Sequence, residues 1–241
     1  MATTTKSRTT GTAHGATKAI APRGASAKAP ARRDPGASRD GLVRAAVAEF
    51  AKSGFAGARV DEIANAAGVN KQLVYHYWGS KQGLYLASLE SVYAEILEKE
   101  RRLSLGELAP HEAMAQLVGF SFDYLAEHPE FIALLTDENR NQGRHILASG
   151  ELQQMHMPFV EMLEATLRRG VKAGVFRNDY DAVNLYISIA GISYFFFSNN
   201  HTLSAIFGRP LGDQGALVQR RRHVIEFALN ALRPDAAPRK R

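Results

Sequence analysis

The chain has 241 residues, 45% of them apolar and 22% charged, a globular composition with length for one or two domains around a real core. Cysteine is absent, which excludes disulfides, thiolate metal sites, zinc-finger DNA readers and cysteine nucleophiles and fits a reducing cytoplasm. The formal net charge of +6 is unevenly spread: residues 1 to 37 carry seven basic side chains against Asp34 alone, residues 38 to 81 carry +2, residues 82 to 232 carry −5, and residues 233 to 241 carry +3. A basic N-terminal end followed by an acidic middle is the footprint expected of a nucleic-acid binder.

Residues 1 to 37 are Ala, Thr, Gly, Pro and Lys/Arg with almost no large apolar side chain, a composition that buries too little surface to fold. They read as a disordered basic tail. It lacks the apolar run of a secretory signal. Its role is either an arm adding non-specific phosphate contacts or a solubilising extension. Order is expected from Ser38. Between Arg39 and Lys52, Leu42, Val43, Ala46, Val47 and Phe50 make an amphipathic helix that Gly54 stops, with Phe55 packing back into the core.

The stretch from Val60 to Lys81 reads as two short helices with a tight turn. Val60, Ile63, Ala64 and Ala67 recur at i, i+3, i+4 and i+7, so one stripe faces inward while Asp61, Glu62 and Asn65 face out. Gly68 ends this helix, Val69 packs over the turn, and Asn70 caps the next. In the second helix Val74 and Trp78 face the first, flanked by Leu73 and Tyr77. Its opposite side presents Lys71, Tyr75, Gln72 and His76 as one polar stripe able to reach base edges and phosphates. An exposed helix face with two aromatics is the plainer reading; the preceding helix and glycine turn favour helix-turn-helix geometry.

The run SRDGLVRAAVAEFAKSGFAG, followed by VDEIANAAGVNKQLVYHYWGSKQGLYLASLE, resembles the DNA-binding domain of the TetR/AcrR family of bacterial regulators over about fifty residues. The resemblance includes the aromatic end of the recognition helix (Tyr75, His76, Tyr77, Trp78) and the Ser80-Lys81 pair after it. It departs where many members carry hydroxyl residues before the first motif helix and this chain has Ala58 and Arg59, leaving a phosphate contact there to Arg59 or backbone amides. The expected DNA-contacting set is Arg59, Asn70, Lys71, Gln72, Tyr75, His76, Tyr77 and Lys81. What the resemblance implies is a homodimer binding a palindromic DNA operator, released by a small-molecule effector, in a bacterial cytoplasm and nucleoid-associated when bound.

Further along, Ser80 is the N-cap of a long helix carrying Leu84, Leu89, Val92, Tyr93, Ile96 and Leu97 to about Leu103. Lys81 opposes the helix dipole in its first turn unless a phosphate binds there, the alternative being a screened surface lysine. After a break at Leu105 to Pro110, one helix carries Met114, Leu117, Val118, Ser121 and Leu125. Another starts near Pro129 with Phe131, Leu134 and Leu135. A longer element from Glu151 to Lys172 is kinked or broken by Pro158. Asp181 to Asn200 is apolar nearly all round but holds Asn184, Ser188 and Ser193, so it reads as a helix buried between its own domain and a partner chain rather than a membrane span. Asn199 to Gly212 reads as a connection, and a last helix turns Val218, Ile225, Leu229 and Leu232 inward. Arg220, Arg221 and Arg222 on it read as a solvated face or, alternatively, a second nucleic-acid site. These last two long helices resemble the pair that forms the dimer interface in the family.

The fold is therefore expected to be all-α: a basic tail (1–37), a three-helix DNA-binding domain (38–97, motif about 59–78), a ligand-binding and dimerisation domain (98–232) and a basic C-terminal tail (233–241). An apolar pocket is expected among Met114, Phe120, Tyr124, Met155, Phe159, Met162, Tyr194, Phe195 and Phe196, side chains that plain core packing would equally explain. Asn139, Arg140, Arg144 and His145 stand beside it, the arginines able to hold an anion; an exposed cap or a bridge to Asp137 or Glu138 is the alternative. The C-terminal half distantly resembles the branch that includes the pyrimidine-utilisation regulator. No Gly-rich phosphate loop, nucleophile elbow or paired metal-spaced histidine occurs, so no enzyme, cofactor or metal is called for. Two other classes stay open: a non-specific architectural DNA-binding protein, and a small-molecule-binding protein whose helix-turn-helix no longer functions. Deleting residues 1 to 37 should lower the magnitude of the salt slope of DNA binding by ~0.9 for each phosphate that the tail neutralises. An unchanged slope in titrations at several salt concentrations would make the tail a spacer.

Overall fold

A computed structural model describes residues 35–155 and 157–234. Every regular element among them is helical: α1 (Pro35–Gly57), α2 (Val60–Ala66), α3 (Gln72–Trp78), α4 (Lys81–Arg101), α5 (Pro110–Glu127), α6 (Pro129–Arg140), α7 (Arg144–Leu147), α8 (Gly150–Met155), α9 (Met157–Lys172), α10 (Ala182–Ser198), α11 (Asn200–Phe207) and α12 (Gln214–Ala231). A 3-10 turn at Leu105–Glu107 precedes α5. The helix α1 starts three residues before the expected Ser38, because proline's fixed φ and missing N–H suit a first helical position. The remainder of the expected tail, 1–34, lies outside the described residues, as does 235–241. A truncation that spares α1 ends at residue 34.

The backbone stops are made as the sequence suggests. Gly54 has φ 66° and ψ 171°, which kinks α1 one turn before its end. Gly68 has φ 65°, and Val69 N–H then reaches back to the Ala64 carbonyl at 3.0 Å, closing the turn between α2 and α3.

Two hydrophobic cores result. The first joins Leu42, Ala46 and Phe50 of α1, Ile63 of α2, Val74 of α3 and Leu84, Tyr85 and Leu89 of α4 to Phe131 and Leu134 of α6. It thus crosses from the DNA-facing helices into the middle of the chain, with α1 packed on both α4 and α6. The second core stacks Met114, Leu117 and Phe122 of α5 on Leu163 of α9, Ile189 and Phe196 of α10 and Val224 and Ala228 of α12.

Several expectations are corrected. The element expected from Glu151 to Lys172 runs as α8 up to Met155 and α9 from Met157, with Pro158 the second residue of α9 and residue 156 outside the described residues. The connection from Asn199 to Gly212 contains α11. Val218 is 60% exposed, because α12 is apolar on two sides and the side that enters the core is led by Leu217, Val224 and Ala228. Of the three arginines of α12, Arg222 is solvated as expected, but the other two are engaged in the chain. Arg220 donates to the Ile192 carbonyl at 3.3 Å and lies over the Phe196 ring, while Arg221 binds the Asp123 carboxylate at 2.7 Å. Among the described residues no helix is long and apolar enough to cross a membrane.

The turn from α3 into α4 is tight. Gly79 takes φ 70°, Ser80 accepts from Gly83 N–H at 3.0 Å, and a Cβ on Gly83 would collide with the Trp78 carbonyl. Gly83→Ala should therefore lower stability by roughly 1–3 kcal/mol, the range for overpacking against unyielding atoms. Thermal denaturation checks this; an unchanged melting temperature would mean that the turn relaxes freely.

Candidate nucleic-acid interface and internal cavity

On α3, Val74 is fully buried while Lys71, Gln72, Tyr75 and His76 are exposed, Tyr75 at 51%. The asymmetry follows from the helical period: the apolar side is held by α2 and α4, and the polar side has no helix over it among the described residues. Asn70 Oδ1 accepts from Gln72 N–H at 2.9 Å, which satisfies one of the free donors at the start of α3. Lys71 Nζ sits 3.0 Å from Asp61 on α2, and that hydrogen-bonded carboxylate raises its pKa. A DNA oxygen must compete with Asp61 for this ammonium. Arg59 is exposed just before α2, with no side-chain cap there.

Two further members of the expected contact set, Tyr77 and Lys81, are also engaged in the chain. Tyr77 is half-buried, with its ring 5.4 Å from Trp78 and packed on the first core. Lys81 Nζ donates to the Ala56 carbonyl at 3.3 Å and lies 5.2 Å from the Phe55 ring centroid, so it ties α4 to the end of α1. The sequence could not show this, because the partners lie across the kink at Gly54.

A cavity of about 470 Å³ lies between α4, α5, α6, α9 and α10. Of the residues expected to line it, Phe120, Asn139, Phe159 and Tyr194 do. Met114 instead lies in the second core; six residues before Phe120, it points about 120° away round the helix. Tyr124 is buried, and its hydroxyl donates to the Val92 carbonyl at 3.2 Å. Phe195 is 58% exposed beside a separate surface cleft, and Arg140 is exposed at another. Arg144 lies over the Phe55 ring, and His145 is buried with Nδ1 donating to Glu138 at 2.7 Å, so the intramolecular bridge replaces the anion clamp. Met162 and Phe196 belong to the second core. The Met155 side chain lies outside the described residues.

The expected set also missed the cavity's most unusual lining group. Glu100 of α4 is only 5% exposed, and burial pushes its carboxyl pKa up to about 8. The pattern did contain the signal: Tyr93, Ile96, Leu97 and Glu100 fall at i, i+3, i+4 and i+7, which puts a carboxylate on the apolar face of α4. Tyr93 and Tyr186 line the same space, with phenol pKa values raised by burial. Tyr194 OH lies 2.7 Å from Thr136 Oγ1, which itself donates to the Ile132 carbonyl; the tyrosine is therefore the donor of that pair.

A helix pair with a tight glycine turn offering polar side chains outward, joined by one long helix to a largely apolar cavity, defines a helix-turn-helix DNA-binding protein with a small-molecule-sized chamber. The family model "Bacterial regulatory proteins, tetR family" matches residues 42–88, and "Tetracyclin repressor-like, C-terminal domain" matches residues 110–227. The HTH-type transcriptional repressor NicS of Pseudomonas putida is 36% identical over 196 residues, covering 81% of this chain and 92% of that relative. The HTH-type transcriptional repressor SCO4008 of Streptomyces coelicolor is 33% identical over 163 residues, covering 68% and 80%. A solved structure of SCO4942 from Streptomyces coelicolor superposes with a TM-score of 0.61 at 28% identity, covering 82% of this chain and 99% of that one. The chain belongs to the TetR family and is a DNA-binding transcriptional regulator.

Burial of Glu100 makes stability depend on pH. Its pKa is raised from an ordinary 4.5, so its contribution is fully present below that value and is lost as pH rises toward 8. The uncharged Glu100→Gln should melt close to the parent temperature at pH 4.5 and increasingly above it up to pH 8. Thermal denaturation across that window reads the gap; a constant gap would mean that the carboxylate is solvated.

Proposed function

We propose that the chain is a homodimeric repressor that binds a palindromic operator through α3 and is released by a small-molecule effector held in the cavity. Residues 38–97, with α1 extended back to Pro35, are the DNA-binding part, and residues 98–232 hold the effector and the dimer interface. The observation that carries this reading is the exposed side of α3, where Lys71, Gln72, Tyr75 and His76 stand opposite buried Val74. Gln72 is suited to a bidentate contact with adenine, and Lys71 to guanine or phosphate once released from Asp61. Arg59 supplies a phosphate contact from the start of α2. The names of NicS and SCO4008 support repression as the sign of regulation.

Dimerisation is supported by apolar surface with nothing over it in the single chain. Val183, Ile187 and Phe195 of α10 are 50–58% exposed along one stripe with Gly191, and Phe227 of α12 is 55% exposed. Contiguous apolar surface of this kind marks an interface. Two recognition helices fit successive major grooves at about 34–36 Å separation. The long helix α4 carries α3 at its start and cavity residues toward its end, so an effector that favours another separation weakens DNA binding by its differential affinity for the two states. This chain acts by binding alone, on chromosomal DNA in the cytoplasm.

Selection of a binding site from random DNA, followed by footprinting, should yield a two-fold-symmetric sequence. On it Gln72→Ala should cost roughly 1–3 kcal/mol and relax preference at one position per half-site. Equal loss on all sequences would move Gln72 to the phosphate-contacting group, and an asymmetric or sequence-blind footprint would sink the operator reading.

A further inference from the structure

Among the described lining residues of the cavity, Glu100 is the one that can carry a full charge near neutral pH. Its side chain is nine-tenths buried or more, lines the chamber, and takes no hydrogen bond or ion pair from any described residue. The aromatic side chains of Phe120, Phe131, Phe159, Tyr186 and Tyr194 line the same chamber. A buried carboxylate without a donor opposes folding, and a glutamine or leucine there would fill the same space without that cost. A group kept against stability in the wall of a chamber belongs to whatever enters the chamber. Aromatic faces supply stacking for a flat ring and attraction for a cation, while the carboxylate supplies the counter-charge.

We infer that the cavity takes a flat aromatic or heteroaromatic molecule carrying a basic nitrogen, whose N–H⁺ donates to the Glu100 carboxylate. This rests on reading the cavity as the effector site.

The protonation of Glu100 gives the binding step a signature. In the empty chamber at pH 7 the carboxyl is mostly protonated, since burial holds its pKa near 8. An ammonium ligand therefore enters with loss of that proton: carboxylic acid plus ligand cation becomes the carboxylate–cation pair plus a proton in solution. Affinity then rises about tenfold per pH unit below 8 and levels off above it. A neutral carbonyl ligand would use the protonated acid as its donor and bind more weakly above pH 8, the opposite sign. The titratable groups sharing the wall are the phenols of Tyr93 on α4 and of Tyr186 and Tyr194 on α10; the Tyr124 phenol on α5 lies behind it, donating to the Val92 carbonyl. Burial raises the pKa of Tyr93, Tyr186 and Tyr124, so they stay neutral through this window.

Calorimetry on the full chain with 2-phenylethylamine, 2-phenylethanol and 3-phenylpropanoate tests this. The amine should bind at least about tenfold tighter than the alcohol at pH 8, and at pH 7 should release close to one proton, measured in buffers of different ionisation enthalpy. In Glu100→Gln the amine should lose its advantage and its proton release, while the alcohol binds as before. The inference is overturned if the alcohol or the carboxylate matches the amine, if none of the three binds at millimolar concentration, or if Glu100→Gln keeps the preference. Release of DNA by each probe is read in parallel. An alcohol or carboxylate that releases the operator would uphold the effector reading while removing the charge assignment.

Discussion

Two consecutive acidic residues near the end of α6 hold the DNA-facing helices to the rest of the molecule. Asp137 accepts from Phe55 N–H at 2.8 Å and from Tyr85 OH at 3.1 Å, joining α6 to the end of α1 and the start of α4. Glu138, 1% exposed, accepts from the backbone N–H of His145 and Ile146 and from His145 Nδ1. A charge held as deep as Glu138 needs its oxygens hydrogen-bonded, and removing one partner of a buried pair costs ~3–5 kcal/mol. The seam also explains the kink in α1. A Cβ on Gly54 would lie 2.8 Å from Asp137 Oδ1, and the φ of 66° is one that other residues resist.

Around that seam the rings of Phe50, Phe55, Tyr85 and His145 pack at centroid distances of 4.7–6.4 Å, so the hydrogen bonds are shielded from water by aromatic surface. The same helix α6 lends Phe131, Leu135 and Asn139 to the cavity wall. A molecule entering the chamber therefore touches the helix that anchors α1 as well as the helix that begins next to α3. Coupling between chamber and DNA face needs no chain of intermediates, because α4 and α6 belong to both.

The cavity shows a second tension. Most of its wall is aromatic or aliphatic and would be stable closed; Glu100 makes it less stable, and the cost grows as pH rises through the range where cells live. A stability optimum would not retain such a group, whereas a recognition site would.

Residues whose meaning depends on near neighbours were readable from the chain alone. The period of Val60, Ile63, Ala64 and Ala67, the left-handed Gly68, the Asn70 cap and the polar stripe on α3 are all set within one or two turns of backbone, and so is the all-helical class. Positions whose meaning depends on a distant partner were not. Lys81 turns to Ala56, Arg221 to Asp123, and Val218 turns outward, because each choice was made by packing between helices far apart in sequence. Helical periodicity places a side chain on a face, but α10 and α12 are apolar on more than one face, and only the docking of α5 decided which entered the core. Glu100 stands between the two cases: its place on the apolar side of α4 was written in the spacing, while the empty space in front of it exists only once α5, α6, α9 and α10 have closed around it.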